Sequence, residues 1–584
     1  MAKEKWASKL GVILAVTGSA VGLGNFLRFP GVACANGGGA FMIPYIIAFI
    51  ILGLPIAWVE WAMGRYGGKR GYCSAPGIFR AITGKNRTAQ IGTLALIIPV
   101  VIYMYYVSIE AWCLGYAVKY WTGGMKQVVA EAQQQVTPVP VPESATTQEK
   151  EQAHDLFLTK QKDAGVKATQ NYLLSFAGVV PESDEAGSGN LRILREFSQS
   201  TMPYLLFCFV INFYLIYRGI NKGIEWFCRW AMPALLGCAL LILIRVLTLG
   251  TPDPLNPDAS ILNGLGFMWN PVGHNLVDGK LVEVGFIEAL SNPQTWLAAA
   301  GQIFFSLSVG FGIIMTYASY TKDDDDIALS SVSAASGNGF FEVALGGMII
   351  IPAAFVFLGP EMIISAGEKA SSLSLGFFAL PGVFENMPAG HFFGGLFFFL
   401  LFMAAITSSL SMLQPAIAFL EEGLGLGRHA AVTLLGLITA IGALFVSLIS
   451  NGLTVLDHMD FWTANFCIFL LATTEVIFFA WIMGLDRGLE ELAHGAEIKL
   501  PKALPFVLKY VTPSFLLIIF GSWLYKEVLS NGPYVKALRE DPTVQITVGF
   551  LISIFIFFSI LVRIAVKRWD QTERTRTENK ELAS

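Results

Sequence analysis

Two apolar stretches of this 584-residue chain are each interrupted near the middle by glycines that expose backbone. The first reads Gly18-Ser-Ala-Val-Gly-Leu-Gly-Asn-Phe-Leu-Arg-Phe-Pro30, the second Phe305-Ser-Leu-Ser-Val-Gly-Phe-Gly312. A helix among lipid tails has no use for glycine pairs at mid-depth, because a freed amide or carbonyl there costs several kcal/mol unless something satisfies it. Ions and a small zwitterion can satisfy such groups. The breaks also match each other, Ala20-Val-Gly-Leu-Gly24 against Ser308-Val-Gly-Phe-Gly312, one in each half of the chain. A matched pair of broken helices points to a central transport site.

Composition agrees with a lipid-embedded chain: 54% of residues are hydrophobic, 14% are charged, and mean hydropathy is +0.58. A soluble chain carries about a quarter charged residues. The net charge of −4 comes with no basic patch interleaved with aromatics, so no nucleic-acid partner is expected. The seven cysteines lack CxxC or zinc-ligand spacing and read as small buried hydrophobes. The six histidines lack HExxH spacing, which argues against a metalloenzyme. No nucleophile–base set lies in the apolar runs, and no enzyme is expected. Met1-Ala-Lys-Glu-Lys-Trp6 leads into an apolar run without a small-residue cleavage site, so the first helix is expected to be retained.

A bilayer crossing needs about 20 apolar residues. On that basis the sequence predicts an all-α membrane protein with twelve spans, centred near Ala20, Ile50, Val101, Phe209, Leu240, Ser308, Gly346, Leu401, Ile438, Leu471, Leu517 and Phe555. Basic residues cluster in alternate loops: Lys3, Lys5 and Lys9; Arg65 to Arg87; Arg218, Lys222 and Arg229; and Arg563 to Arg576. They place both termini in the cytoplasm of a multi-pass protein of the inner (plasma) membrane. The polar segment from about 123 to 200 is expected outside, with some helix and a stiff piece at Thr137-Pro-Val-Pro-Val-Pro142. A second outside loop spans 251–292. A third, 360–390, is expected to fold back toward the centre.

From Trp6 onward the chain resembles the neurotransmitter:sodium symporter family, in its bacterial leucine-transporter-like branch, the type case of paired broken helices. The resemblance rests on Ala20 to Pro30, Asn36-Gly-Gly-Gly-Ala-Phe41, Pro44-Tyr45, Glu60-Trp-Ala-Met-Gly64, Gln302-Ile-Phe-Phe305, Thr407-Ser-Ser409 and Asp460-Phe-Trp462. It implies five helices and an inverted five plus two extra helices. The divisions are 1–9 cytoplasmic, 10–247 the first half, 248–293 outside, 294–481 the second half, 482–568 the added helices and 569–584 a cytoplasmic tail. Neither the long outside loop nor the tail has a counterpart in the resemblance.

The resemblance also implies two sodium sites. The first takes the Ala20 carbonyl, Asn25, Ser306, Asn338 and the substrate carboxylate. The second takes the carbonyls of Gly18, Val21 and Ala404 with the hydroxyls of Thr407 and Ser408. Alone, Thr407-Ser-Ser409 reads first as small-residue helix packing; beside the two breaks and Asn25 the sodium reading overtakes it. Gly22 stands where amine-carrying relatives hold an aspartate, so the substrate should bring its own carboxylate. That carboxylate would meet the amides near Leu23 and Gly24, at a positive helix end, and the Tyr106 hydroxyl. The ammonium would meet carbonyls near Ala20 and Phe305 and the Ser308 hydroxyl. Ile102, Tyr106, Phe305, Phe311, Ser408 and Met412 would enclose a small neutral, aliphatic amino acid, although Ile102 and Met412 alone read as packing.

Charges within spans are expensive and point to function. Arg28 and Asp460 resemble an outer gate pair, and Lys3, Trp6, Tyr320 and Glu422 an inner gate. Glu60 and Glu110 are expected to bond free backbone at the breaks. Glu342 lies one turn from Asn338, on the same face. Chloride-dependent relatives hold serine there, with groups matching Tyr45, Gln302 and Ser306 around the anion. A fixed carboxylate would replace the chloride, or else would simply bond a neighbouring helix. The reading is a sodium-coupled symporter. A channel, a binding-only sensor with the same fold and a carrier of another zwitterion remain as alternatives, and the sequence leaves a homodimer open.

Overall fold

The computed structural model describes residues 5–138, 146–177, 201–252, 256–277, 280–368, 374–449 and 453–583. Ser8 starts the first helix by accepting the Gly11 amide at 2.9 Å. Helix Lys9–Ala20 then breaks at Val21-Gly22-Leu23 and resumes as Gly24–Ala35, bent by 46°. Asn292 likewise caps Pro293–Leu307. That helix stops at Ser308, held in the left-handed region at φ 56°, and Gly310 and Gly312 follow at φ 74° and 73° before Ile313–Ala318 resumes. Glycine adopts such angles without the strain a side chain brings, which explains the second Gly-x-Gly.

Among the described residues nine helices are long and apolar enough to cross a membrane, and the bent first pair makes ten. The other two of the twelve expected spans are Met202–Tyr217, at 16 residues, and the second broken helix. Helices Leu94–Trp121 and Gly390–Met412 pack along each other, and Lys9–Ala20 packs against Gly390–Met412, Ile327–Gly339 and Trp226–Leu247. The residues of both breaks, 21–23 and 308–312, are buried inside the bundle.

The all-α architecture carries one short exception among the described residues, a hairpin that the sequence reading did not foresee. Val272–Val277 and Lys280–Gly285 form an antiparallel hairpin, with Val272 opposite Gly285. The loop carrying it presses on the glycine run, where a Cβ on Gly39 would lie 2.0 Å from the Asn270 carbonyl. The long polar loop after Trp121 contains helices Gly124–Gln134 and Thr147–Phe176, which pack together; most of its proline piece lies outside the described residues. The 360–390 loop does fold back. Gly376 rests on Leu27, Phe377 meets Trp112 and Tyr116, and the Pro381 carbonyl accepts the Tyr120 hydroxyl at 3.0 Å.

Candidate functional site

Breaking the first helix redirects its amides. Gly22 N–H, which a continuous helix would give to the Gly18 carbonyl, donates to Asn25 Oδ1 at 2.8 Å. Leu23 N–H donates to the Tyr106 hydroxyl at 3.1 Å, and Asn25 N–H turns back to the Gly22 carbonyl at 3.3 Å. The carbonyls of Gly18 and Val21 thereby lose their ladder donors. Ser19 loses its own too, but its carbonyl accepts the hydroxyls of Ser408 at 3.0 Å and Ser308 at 3.4 Å. Thr407, one residue before Ser408, donates to the Ala404 carbonyl at 2.9 Å, and a Cβ on Gly18 would sit 3.4 Å from Thr407 Cβ. Gly18, Val21, Ala404, Thr407 and Ser408 thus gather at the break with hard oxygen atoms.

A second cluster lies beyond Asn25. Asn25 Nδ2 donates to Asn338 Oδ1 at 2.8 Å, and Asn338 Nδ2 donates to Ser306 Oγ at 2.5 Å and Glu342 Oε2 at 3.4 Å. Ser306 Oγ and Gln302 Nε2 also donate to the Glu342 carboxylate, and Gln302 reaches the Gly24 carbonyl at 3.3 Å. All five side chains are buried, and Tyr45 adds a buried hydroxyl beside the Glu342 carboxylate. A buried carboxylate is costly unless donors meet it, and three do here. Among the described residues no group of three or more His, Cys, Asp or Glu could hold a metal. The neutral oxygens of Asn25, Ser306 and Asn338 suit a monovalent hard cation instead.

The space beside the first break is tight. A Cβ on Gly22 would lie 2.6 Å from Ser408 Oγ and 2.8 Å from the Tyr106 hydroxyl, and one on Gly24 would lie 2.8 Å from the Phe305 ring. Phe305 and Phe311 meet edge to face at 6.4 Å. Ile102 and Met412, one turn from Tyr106 and Ser408, are buried. Ala20 ends the first half-helix, its side chain buried.

Two sequence expectations are corrected. Arg28 and Asp460 form no ion pair within 4 Å. Asp460 accepts the Tyr105 hydroxyl at 2.7 Å, while Arg28 lies 4.6 Å over Phe305 and donates to Asn465 at 3.3 Å. Glu60 does meet free backbone, accepting the Gly310 amide at 2.5 Å. Glu110 does not, because the Asn212 and Ser409 side chains claim it at 3.1 Å and 2.7 Å. On the opposite side, Trp6 Nε1 donates to the Tyr317 carbonyl at 3.0 Å and its amide to that of Tyr320 at 3.4 Å. Glu422 is held by the Cys73 amide and the Ser74 hydroxyl, and Lys3 lies outside the described residues. Trp6 and Tyr320 are buried, whereas Arg28, Phe305 and Asp460 are only half-buried.

Tyr105, Asn465, Ser74 and Glu475 escaped the sequence reading. Only Glu475, a charge buried in the apolar helix Ile468–Ile477, carried a local signal.

The model of the sodium:neurotransmitter symporter family matches residues 3–263 and 275–571. The chain belongs to that family. It is 30% identical over 524 residues to a sodium-dependent transporter of Methanocaldococcus jannaschii, covering 88% of this chain and 89% of that one. It is 25% identical to the sodium-dependent serotonin transporter of Drosophila melanogaster, covering 91% and 78%. The crystal structure of MhsT in complex with L-phenylalanine matches with a TM-score of 0.66 at 26% identity, over 89% of this chain and all of that one. As a symporter of this family the protein is a sodium-dependent, multi-pass membrane transporter and not an enzyme.

Proposed function

We propose that this symporter imports a neutral, aliphatic amino acid with two sodium ions, independently of chloride, by alternating access. The reading rests on the crowding at Gly22: with Ser408 and Tyr106 against it, no protein carboxylate fits there to meet a substrate amine. The substrate must carry its own. Its carboxylate would meet the Leu23–Gly24 amides and the Tyr106 hydroxyl and complete the first sodium site with Ala20, Asn25, Ser306 and Asn338. Each ligand then raises the affinity for the other. Gly18, Val21, Ala404, Thr407 and Ser408 would hold the second ion. The L-phenylalanine bound to MhsT, itself a neutral amino acid, supports the substrate class.

The basic loops favour cytoplasmic termini. In that orientation the buried Trp6–Tyr320 side is the inner closure and the half-buried Arg28–Phe305–Asp460 side faces outward. The sodium gradient and membrane potential would drive uptake, the potential adding about 2.3 kcal/mol per charge per 100 mV. In proteoliposomes, labelled leucine, alanine, valine and methionine should enter with inward sodium and not with potassium. Decarboxylated amines should not compete. Equal uptake in both salts would overturn the reading.

Replacing Thr407 and Ser408 together by alanine removes two hydroxyl ligands from a dry site. The sodium concentration for half-maximal uptake should rise about tenfold, the loss of roughly one charge-assisted contact. An unchanged sodium dependence would place the second ion elsewhere.

A further inference from the structure

Helix Leu54–Lys69 ends on the same side of the bundle as Trp6 and Tyr320, where a Cβ on Gly68 would lie 2.3 Å from the Ser319 carbonyl. Helix Leu485–Ala493 packs against it, with Gly488 and Leu492 buried and Asp486, Arg487 and Glu490 exposed. Gly484, at φ 89°, separates that short helix from the apolar run ending at Trp481-Ile482. Trp481 and Ile482 are exposed, and the Trp481 indole donates to the Lys509 carbonyl at 3.2 Å, next to the exposed Tyr510. Exposed tryptophan and tyrosine rings with polar tips mark the headgroup level of a bilayer. The short helix begins at that level.

Between the two helices lies a cavity of about 350 Å³, lined by Lys69, Arg70, Arg487, Glu490, Glu491 and their neighbours. Glu491 is already engaged, its Oε1 accepting Arg65 Nε and Lys69 Nζ at 2.7 Å each. Arg65 is buried and also donates to the carbonyls of Asp325 at 2.8 Å and His494 at 3.1 Å, which fixes the cavity floor. Arg70 and Arg487 meet no carboxylate within 4 Å among the described residues. Arg70 lies 3.5 Å over the Tyr66 ring and donates to the Tyr66 carbonyl at 3.0 Å. With Arg65 beneath, four cations face two carboxylates, a surplus of two positive charges. Guanidinium forks match the oxygens of a phosphate, and a basic pocket between helix ends at this depth suits a lipid headgroup.

We propose that this cavity binds the phosphate headgroup of an anionic phospholipid. Arg70 and Arg487 hold the phosphate from the two helices, and the acyl chains follow Trp481 and Ile482 into the bilayer. The test uses the full-length protein in detergent, titrated with phosphatidylglycerol in mixed micelles, with retained lipid counted by native mass spectrometry. Arg70→Gln and Arg487→Gln change exposed side chains, so folding should persist, checked by unchanged substrate binding in lipid-free detergent. Each should weaken lipid retention about fivefold, the scale of one basic side chain at a membrane surface. Lys502→Gln removes an exposed cation outside the cavity and should leave retention unchanged. An equal loss with Lys502→Gln would reduce the site to general attraction between a basic surface and acidic lipid and overturn the proposal. Unchanged retention in both arginine variants would overturn it as well. Potassium phosphate should displace no more lipid than potassium chloride at equal ionic strength. Preferential displacement by phosphate would assign the cavity to the free anion and not to a lipid.

Discussion

Glu342→Ser should convert transport from chloride-independent to chloride-requiring. In the native protein, uptake should be the same in chloride and in gluconate, because the negative charge beside the first sodium cluster is covalently fixed. Glu342 is fully buried and takes its donors from Gln302, Ser306 and Asn338, the last two being expected sodium ligands. Two sodium ions and a zwitterion add two positive charges to that region. One carboxylate offsets half of them, and removing it leaves buried charge uncompensated at a cost of about 3 kcal/mol, roughly 100-fold in affinity. The serine variant in gluconate should therefore lose nearly all uptake at sodium concentrations that saturate the native protein. The donors that held the carboxylate, together with the neighbouring Tyr45 hydroxyl, would then face a hole suited to a small anion, and chloride should restore uptake. A native protein that needs chloride, or a serine variant that transports equally well without it, would reduce Glu342 to a helix-bonding residue.

The fold was legible in the sequence because its determinants are one-dimensional. Apolar runs of membrane length and glycine pairs within two of them are visible without any knowledge of neighbours, and the broken helices appear where the glycines stand. The amide diversion follows from the same feature. Once Gly22 and Leu23 leave the ladder, some oxygen must receive them, and Asn25 is three residues away. The hairpin at 272–285 was missed although Asp278-Gly279 between partly alternating apolar residues is a local signal for one. The gate geometry could not be read from the sequence at all. Arg28 and Asp460 carry opposite charges, but whether they meet depends on competitors: the Tyr105 hydroxyl takes Asp460, and Phe305 and Asn465 take Arg28. Glu110 fails for the same reason, since Asn212 arrives from a helix more than 100 positions away. Partner choice among buried polar groups is decided by packing, and one sequence does not encode it locally.

Gly22→Ala should nearly abolish substrate binding while leaving a folded protein. The backbone at Gly22 is not in the left-handed region, so alanine meets no conformational penalty there, and space alone decides. The added methyl would stand 2.6 Å from Ser408 Oγ and 2.8 Å from the Tyr106 hydroxyl. Both are short or rigid side chains with little freedom to retreat. Overpacking of this kind costs about 1–3 kcal/mol, against a total that a bundle of this size can absorb. The site suffers more than the fold, because relief must come from moving Tyr106 off the Leu23 amide or Ser408 off the Ser19 carbonyl. The first movement spoils the carboxylate pocket and the second the sodium site, so apparent substrate affinity should fall roughly 100-fold, the displacement and the lost hydrogen bond acting together. Thermal unfolding in detergent should shift by only a few degrees. Crowding also predicts its own cure: adding Ser408→Ala removes the nearest atom and should recover much of the substrate binding at saturating sodium, although that change alone weakens sodium. If Gly22→Ala binds substrate within twofold of the native protein, or if the second substitution deepens the defect at saturating sodium, then Gly22 does not press on the pocket, and the argument that its crowding excludes an amine substrate falls with it.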